Sequence, residues 1–428
     1  MHICIFEDEF YKKLQPLVYF RPVHDLRCGI TSLREKIVRC FPDAVLALHT
    51  RNYLAEALKE EFPTLSVNRI HPEAKKVLFI NGRLLISSGD AMYFGEKYPG
   101  TDIVYQSGAD IVAAWVSGRN LDRLNSLMKE SALDSRSFQS IEKKDYSGVR
   151  LVRYPWDLVR NNGFQLGEDF KNLTQEGPRL LGNVHQGAHL VNPSQIHVGE
   201  GTVIKPGVVI DAEKGPVYIS NNVTIMSNAV IEGPAFIGEN STIKIGAKIY
   251  ENTTIGESCK VGGEVEESII HAFSNKQHEG FVGHSYLGEW VNIGADSNTS
   301  DLKNDYGNVK VYNDGEFIDS GNKFVGLTMG DHSKCGINSM FNTGTVVSVC
   351  CNIYGSGLPP KYVPAFSWGE ASGKYSAYRI EKAVEVARTV MARRNLILSG
   401  AGEELFRKVF EMTREERAVF GVGEEARS

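Results

Sequence analysis

An α/β domain followed by a parallel β-helix is the architecture that three features of this 428-residue sequence predict. Short apolar runs alternate with helical stretches over the first third of the chain. From Val198 onward an aliphatic residue returns at every sixth position. From about residue 376 the apolar spacing becomes that of an amphipathic helix. The length exceeds the ~250–300 residues at which a single core stops growing, so more than one unit is required.

Within residues 1–167 the runs HICIF (2–6), AVLAL (44–48), KVLFING (76–82) and ADIVAAWV (109–116) read as strands, and Ser32–Cys40 and Tyr53–Glu61 as helices. Strands alternating with helices predict an α/β unit with a mostly parallel sheet. Residues 168–195, with Gly177-Pro178 and Asn192-Pro193, read as a linker leading into the repeat.

The repeat occupies 196–370. Its ladder is Val198, Ile204, Ile210 and, after the insertion DAEKGP, Ile219, Ile225, Ile231, Ile237, Ile243, Ile249, Ile255 and Val261. A small or β-branched residue stands four positions after most of these, among them Val208, Ala229, Ala235, Ser241, Ala247 and Cys259. Neither helix nor strand alternation has a period of six. A short strand and turn, three to a coil, does, with the aliphatic side chains pointing inward and Gly or Asn at the corners. The polar segment 300–324 reads as an excursion from the coil, a hairpin arm. In 371–428, Ile380, Ala383, Val384, Ala387, Val390 and Met391 follow helical spacing, and a second helix is expected around Leu405, Phe406 and Phe410. These helices are expected to cap the solenoid.

Composition narrows the function. Lys and Arg total 47 against 52 Asp and Glu, a formal charge of −5, which argues against a nucleic-acid partner. The N-terminus MHICIFEDEF is acidic and no apolar run reaches the ~18–20 residues of a span, so a cytoplasmic protein without a membrane partner is expected. The seven cysteines lack framework or C-x-x-C spacing and read as reduced buried thiols.

A hexapeptide solenoid behind an α/β domain resembles the GlmU family, whose members pair a uridylyltransferase with a glucosamine-1-phosphate N-acetyltransferase. The strings PLVYFRPVHDLRCG, RYPWDL, GDHSKCGIN and FNTGTVV look like a variant branch of it. The resemblance implies a left-handed β-helix, a homotrimer with sites between subunits, acetyl-CoA as donor, and an amino-sugar phosphate and a nucleoside triphosphate as substrates. Over His278–Asp296 the pattern H-x-x-[YF]-[VL]-G, then N-[IL]-G-A, puts His278 in the place of the catalytic histidine. It puts Phe281 in that of a substrate-lining tyrosine, and Asn292 in that of an asparagine contacting the amino sugar. Acetylating an amine from a thioester requires a base for its proton, and imidazole suits that task near neutrality. His284, one repeat on, is the other candidate base; His332 reads as structural or cofactor-lining.

The sequence also departs from the family. Of two cations that grip the sugar phosphate, one position is Lys248 and the other is Glu266; either Lys276 replaces the missing charge or the acceptor is not phosphorylated. The family's Asn–Tyr pair falls on Asp301-Leu302, near Asn304-Asp305-Tyr306. In the N-terminal half FEDEFYKKL stands where a Gly-rich phosphate loop belongs, and Ile80-Asn81-Gly82-Arg83 where a metal-binding aspartate is expected. Magnesium would be required for nucleotidyl transfer, with Asp8, Asp25 and Asp157 as unsupported ligand candidates. Two readings stay open. Arg21, Arg27 and Arg83, with Arg34 and Lys36, form a different phosphate cradle, or this domain binds a sugar nucleotide without catalysis. A trimeric sugar-nucleotide-binding scaffold, and a nucleotidyltransferase with a dead acyl site, are the alternatives for the whole chain.

Overall fold

The computed structural model describes residues 1–96, 100–130 and 132–423, so the end of the expected C-terminal segment, 424–428, lies outside it. The four predicted strands of the first domain form as β1 (His2–Phe6), β2 (Val45–Leu48), β4 (Lys76–Asn81) and β6 (Asp110–Ser117). β3 (Ser66–Val67), β5 (Ile103–Ser107) and β7 (Glu142–Asp145) complete a seven-stranded sheet of order β3-β2-β1-β4-β6-β5-β7. The sheet is mostly parallel, as expected: β1 to β4 run parallel, β7 runs parallel to β5, and only β6 is reversed, antiparallel to both β4 and β5. The cause is local. Only Gly108 and Ala109 separate β5 from β6, and a two-residue turn can only return the chain antiparallel. Val77–Ile80 and Val112–Val116 are buried on both faces, which is why they read as unbroken apolar runs.

Helix α1 (Leu33–Cys40) starts at the capping box of Ser32 and Glu35, and α2 (Ala55–Glu61) follows a 3₁₀ turn. α3 (Ser88–Glu96) and α4 (Gly118–Leu127) precede α5 (Pro155–Leu173). α5 opens with Pro155 and with the Asp157 carboxylate accepting the N–H groups of Arg153 and Tyr154, each at 3.0 Å. Its buried side packs Leu166 and Phe170 against Phe236 of the repeat. The helix therefore runs through the expected boundary at 167. The expected linker is shorter than read from sequence, because Asn183–Val184 and His189–Val191 already pair with the next coil (Val184 with Ile204, Leu190 with Ile210). Asn192-Pro193 breaks the six-residue spacing there and hid those two strands.

The repeat folds as a left-handed parallel β-helix with three faces. The first face is a nine-stranded sheet from Ile196–Val198 to Tyr362–Val363. The second runs from Asn183–Val184 to Asn275–Lys276, continues through a bridge at Asn292 and resumes at Lys334–Cys335. The third runs from His189–Val191 to Phe281–Gly283. Every ladder residue from Val198 to Val261 is buried, in one continuous core. The arm expected within 300–324 is a hairpin of Lys310–Asn313 and Glu316–Asp319.

Helices α6 (Ile380–Ala392) and α7 (Gly400–Met412) pack on the terminal coils through Val349, Cys350 and Phe366, and α8 (Arg414–Val419) follows α7. They also reach Tyr19 and Leu54, tying the last coils to the first domain. The hairpin of Ser367–Glu370 and Tyr375–Ala377, with Gly423 bridged to Ser376, covers the final rung. Among the described residues no helix is long and apolar enough to cross a membrane.

Candidate functional site

His278 stands at the corner between the second and third faces, just after the strand Asn275–Lys276 and just before Phe281–Gly283. Its side chain is exposed, and no partner engages the imidazole among the described residues. The backbone beneath it is held firmly. The Lys276 ammonium, buried inside the coil, donates to the carbonyls of Gly262 (2.8 Å) and His278 (2.9 Å). Burial, with Lys248 nearby, pulls the Lys276 amine down to about 8 against the help of Glu279. Lys276 therefore props the corner from within and does not stand free to replace a phosphate-gripping cation, as the sequence had suggested. The corner is tight. At Gly263, with φ +68°, an added Cβ would lie 2.6 Å from the His278 carbonyl oxygen and 2.6 Å from Lys276 Nζ.

Phe281 lies in register with Glu264, which pairs with Lys248 in the coil below. Lys248, Glu264 and Phe281 thus form one outward column on the third face. The Phe281 ring reaches over Gly283, where a Cβ would meet its Cζ at 2.5 Å. Lys248 is half exposed and only loosely paired, 3.9 Å from Glu264 and 3.8 Å from Glu279. Asn292 is on the second face, bridged to Asn275 and Lys334. The candidates therefore flank the His278 corner from two sides.

The remaining histidines of this region are committed elsewhere. His284 is held between Asp301 (2.8 Å) and Glu267 (3.3 Å) and stacks on Phe324. Burial opposes its charge, but the two carboxylates overcome this and lift its pKa to about 9. It is a cation at neutral pH and cannot accept a proton there. Asp301, which stands where the family has an asparagine, is thus His284's counter-ion. His271 and His332 are buried, and burial with nearby cations pushes both well below the usual imidazole range. Beside the His284 pair, burial raises the carboxyl pKa of Glu266.

The His284 contacts predict a pH signature. A folded pKa of about 9 against an ordinary 6.5 stabilises the fold fully below 6.5, and this contribution disappears as pH rises from 6.5 to 9. It amounts to on the order of 3 kcal/mol. Lys276 acts oppositely: its depressed pKa makes stability rise between about 8 and 10.5. Melting His284→Asn beside the native protein isolates the first term, so the difference between them should shrink across pH 6.5–9. A pH-independent difference would show that the pair carries no charge.

The first domain corrects the expected phosphate cradle. Arg83 is fully buried; its Nη2 donates to Asp8 Oδ2 and Asp110 Oδ1, each at 2.6 Å, and its Nη1 to the Val152 carbonyl at 3.0 Å. Arg21 is clamped by Asp331 (2.9 Å) and Glu289 (3.1 Å) of the β-helix, and Arg27 by Glu257 (2.7 Å). Arg34 pairs with Asp25 at 2.5 Å, and Lys36 with Asp169. Each cation already has a carboxylate, so these residues do not converge on a phosphate. The segment after β1 seals the domain onto the first face of the β-helix: the Tyr286 hydroxyl accepts the Arg27 N–H at 3.1 Å, and the Thr254 hydroxyl donates to the Gly29 carbonyl at 3.0 Å. Sequence reasoning missed these pairings because most of the carboxylates lie far along the chain, 230 residues from Arg27 and 310 from Arg21.

Magnesium does not fit here. Asp8 and Asp110, the carboxylates nearest the position of the family's metal aspartate, are neutralised by the Arg83 guanidinium, and Asp110 also by Arg153 at 2.6 Å. Asp25 is bound to Arg34, and Asp157 caps α5. Among the described residues no group of three or more His, Cys, Asp or Glu side chains is placed to hold a metal ion.

Comparison with known proteins matches residues 3–177 to the sugar nucleotidyl transferase family. A bifunctional sugar-1-phosphate nucleotidylyltransferase/acetyltransferase of Sulfurisphaera tokodaii is 38% identical over 143 residues, 33% of this chain and 36% of that protein. The bifunctional protein GlmU of Heliobacterium modesticaldum is 30% identical over 176 residues, covering 36% and 38% respectively. GlmU of Bartonella quintana is 26% identical over 62% of this chain and 60% of its own. The chain thus spans 36% and 38% of the length of the first two of these relatives. A solved UDP-N-acetylglucosamine acyltransferase aligns over 58% of this chain and 99% of its own at 14% identity, with a TM-score of 0.29. Residues 3–177 thus match the sugar nucleotidyl transferase family, and parts of the chain are similar to GlmU-type bifunctional proteins.

Proposed function

We propose that the β-helix transfers an acetyl group from acetyl-CoA to the amine of an amino-sugar phosphate, with His278 as the general base. The observation that carries this reading is the free imidazole of His278 at a braced corner, while His271, His284 and His332 are buried or charged. Acetyl-CoA supplies the activated acyl group. The amine nitrogen attacks the thioester carbonyl and the C–S bond breaks. The amine proton passes to the imidazole and from there to the departing thiolate. Phe281 would line the sugar, Asn292 hold its polar edge, and Lys248 meet its phosphate. We read the assembly as a homotrimer in the cytoplasm, where the seven free cysteines would stay reduced.

Release of free thiol from acetyl-CoA on adding glucosamine-1-phosphate tests the reading; no release with that acceptor counts against it. Gly263→Ala is a graded companion test. Its Cβ would displace the His278 carbonyl and Lys276, so kcat should fall by ~10–100-fold while KM changes less. An unaltered kcat would show that the corner's geometry is not used.

A second reading concerns the first domain. The Arg83–Asp8–Asp110 cluster favours a domain that keeps the nucleotidyl transferase fold as a docked platform without metal-dependent transfer. Pyrophosphate release from UTP and N-acetylglucosamine-1-phosphate with magnesium present would overturn it.

A further inference from the structure

A cleft of about 230 Å³ lies between the second face and the C-terminal end of α6. Its wall is a column of four coil positions, Lys260, Asn275, Asn292 and Lys334, each paired with the next. At the ~4.8 Å spacing of adjacent strands the two lysines stand roughly 14 Å apart at the backbone. Arg393 and Arg394, following α6, close the other side, and Arg394 Nη2 donates to Asn275 Oδ1 at 3.2 Å. Among the described residues none of these four cations has an ion-pair partner, whereas the buried Arg21 and Arg83 are tightly matched. The Lys334 ammonium bonds only the His332 carbonyl, at 2.9 Å.

This is an unfavourable way to leave four positive charges. Burial lowers the Lys260 amine, with Arg394, Lys244 and Arg393 pushing in the same direction, and burial lowers Lys334 as well. The arginines alone could be explained by the negative end of α6. The lysines, which belong to coils well separated in sequence, could not. A second feature lies beside them. At the corner of each coil the left-handed position is Asn222, Asn240 and Ser258 in the lower coils, then becomes Phe273, Trp290 and His332. Phe273 and Trp290 stack at 4.5 Å and 5°, with both rings on the cleft wall. A left-handed backbone at a bulky residue is costly and collects at ligand sites. Because Ser258 occupies the next corner down, no corner ring covers the lower side of Phe273.

We propose that this cleft binds a small molecule bearing a phosphate or diphosphate group, held by Lys260, Lys334, Arg393 and Arg394, with the remainder of the molecule lying along Phe273. The site shares Asn292 with the acetyl-transfer reading but requires nothing of His278, so binding there is tested separately from that reaction.

Isothermal titration of inorganic pyrophosphate into the full-length protein tests it directly. Saturable binding is expected, weakened ~10-fold in Lys260→Gln and in Arg393→Gln and further in the double variant, as removing each charge contact costs about 1.4 kcal/mol. Both side chains are at least partly exposed, so the variants should melt with the native protein, and His278→Ala should bind as tightly as native. Displacement of pyrophosphate by coenzyme A would assign the anion to the acyl donor, and displacement by glucosamine-1-phosphate to the acceptor. No saturable binding to the native protein, or equal binding by the double variant, overturns the proposal.

Discussion

His278→Ala should lower kcat for acetyl transfer by ~10²–10⁴-fold, the usual contribution of a general base, and leave the fold intact. The second half of that expectation follows from exposure. The imidazole packs against nothing that depends on it, so truncation should change stability by no more than ~0.5 kcal/mol. No neighbour can take over. His284 lies one repeat away but is charged between Asp301 and Glu267, and the Lys276 ammonium faces into the coil. Thiol release on native and variant protein, with melting curves for both, separates the outcomes. Turnover equal to the native protein would remove His278 from the mechanism. Loss of turnover together with loss of the fold would show that the corner is structural.

Arg83→Met should destabilise the first domain by about 3–5 kcal/mol, because it leaves the buried Asp8 carboxylate without its counter-ion and Asp110 with only the exposed Arg153. The sign discriminates between roles. A phosphate-binding arginine waits unpaired in the resting protein, so its removal would leave stability unchanged or raise it. A guanidinium held at 2.6 Å by both Asp8 and Asp110 behaves oppositely. Adding Asp8→Asn and Asp110→Asn should recover much of the loss, since removing all partners of a buried charge network costs less than orphaning some. Chemical denaturation of the three forms provides the measurement. A stable Arg83→Met protein would return this arginine to the list of ligand contacts.

The β-helix was legible because its physics is periodic. Each coil buries one aliphatic residue per side, and the ladder from Val198 to Val261 repeats that demand in register, so a single sequence carries the signal many times over. The strands of the first domain were legible for a related reason: burial on both faces imposes continuous apolar runs. Where the period breaks, legibility fails. Asn192-Pro193 concealed the opening coil, and α5 crossed a boundary that composition alone had placed at residue 167.

Charge is the property that a sequence lists and only a fold assigns. The arginine-rich segment following β1 carries the same residues whether it cradles a phosphate or grips a neighbouring domain. What decides is the position of the carboxylates, and Glu257, Glu289 and Asp331 lie far along the chain, on coils that folding brings beneath Arg21 and Arg27. The same holds for the histidines. Four residues of one type stand between 271 and 332, and only tertiary packing makes two of them neutral and buried, one a half-buried cation, and one an exposed unpaired imidazole. The sequence by itself therefore determined the architecture, through local periodicity and burial. The roles of the ionisable residues were decided by the tertiary structure, because electrostatic partners are set by distance in space rather than along the chain.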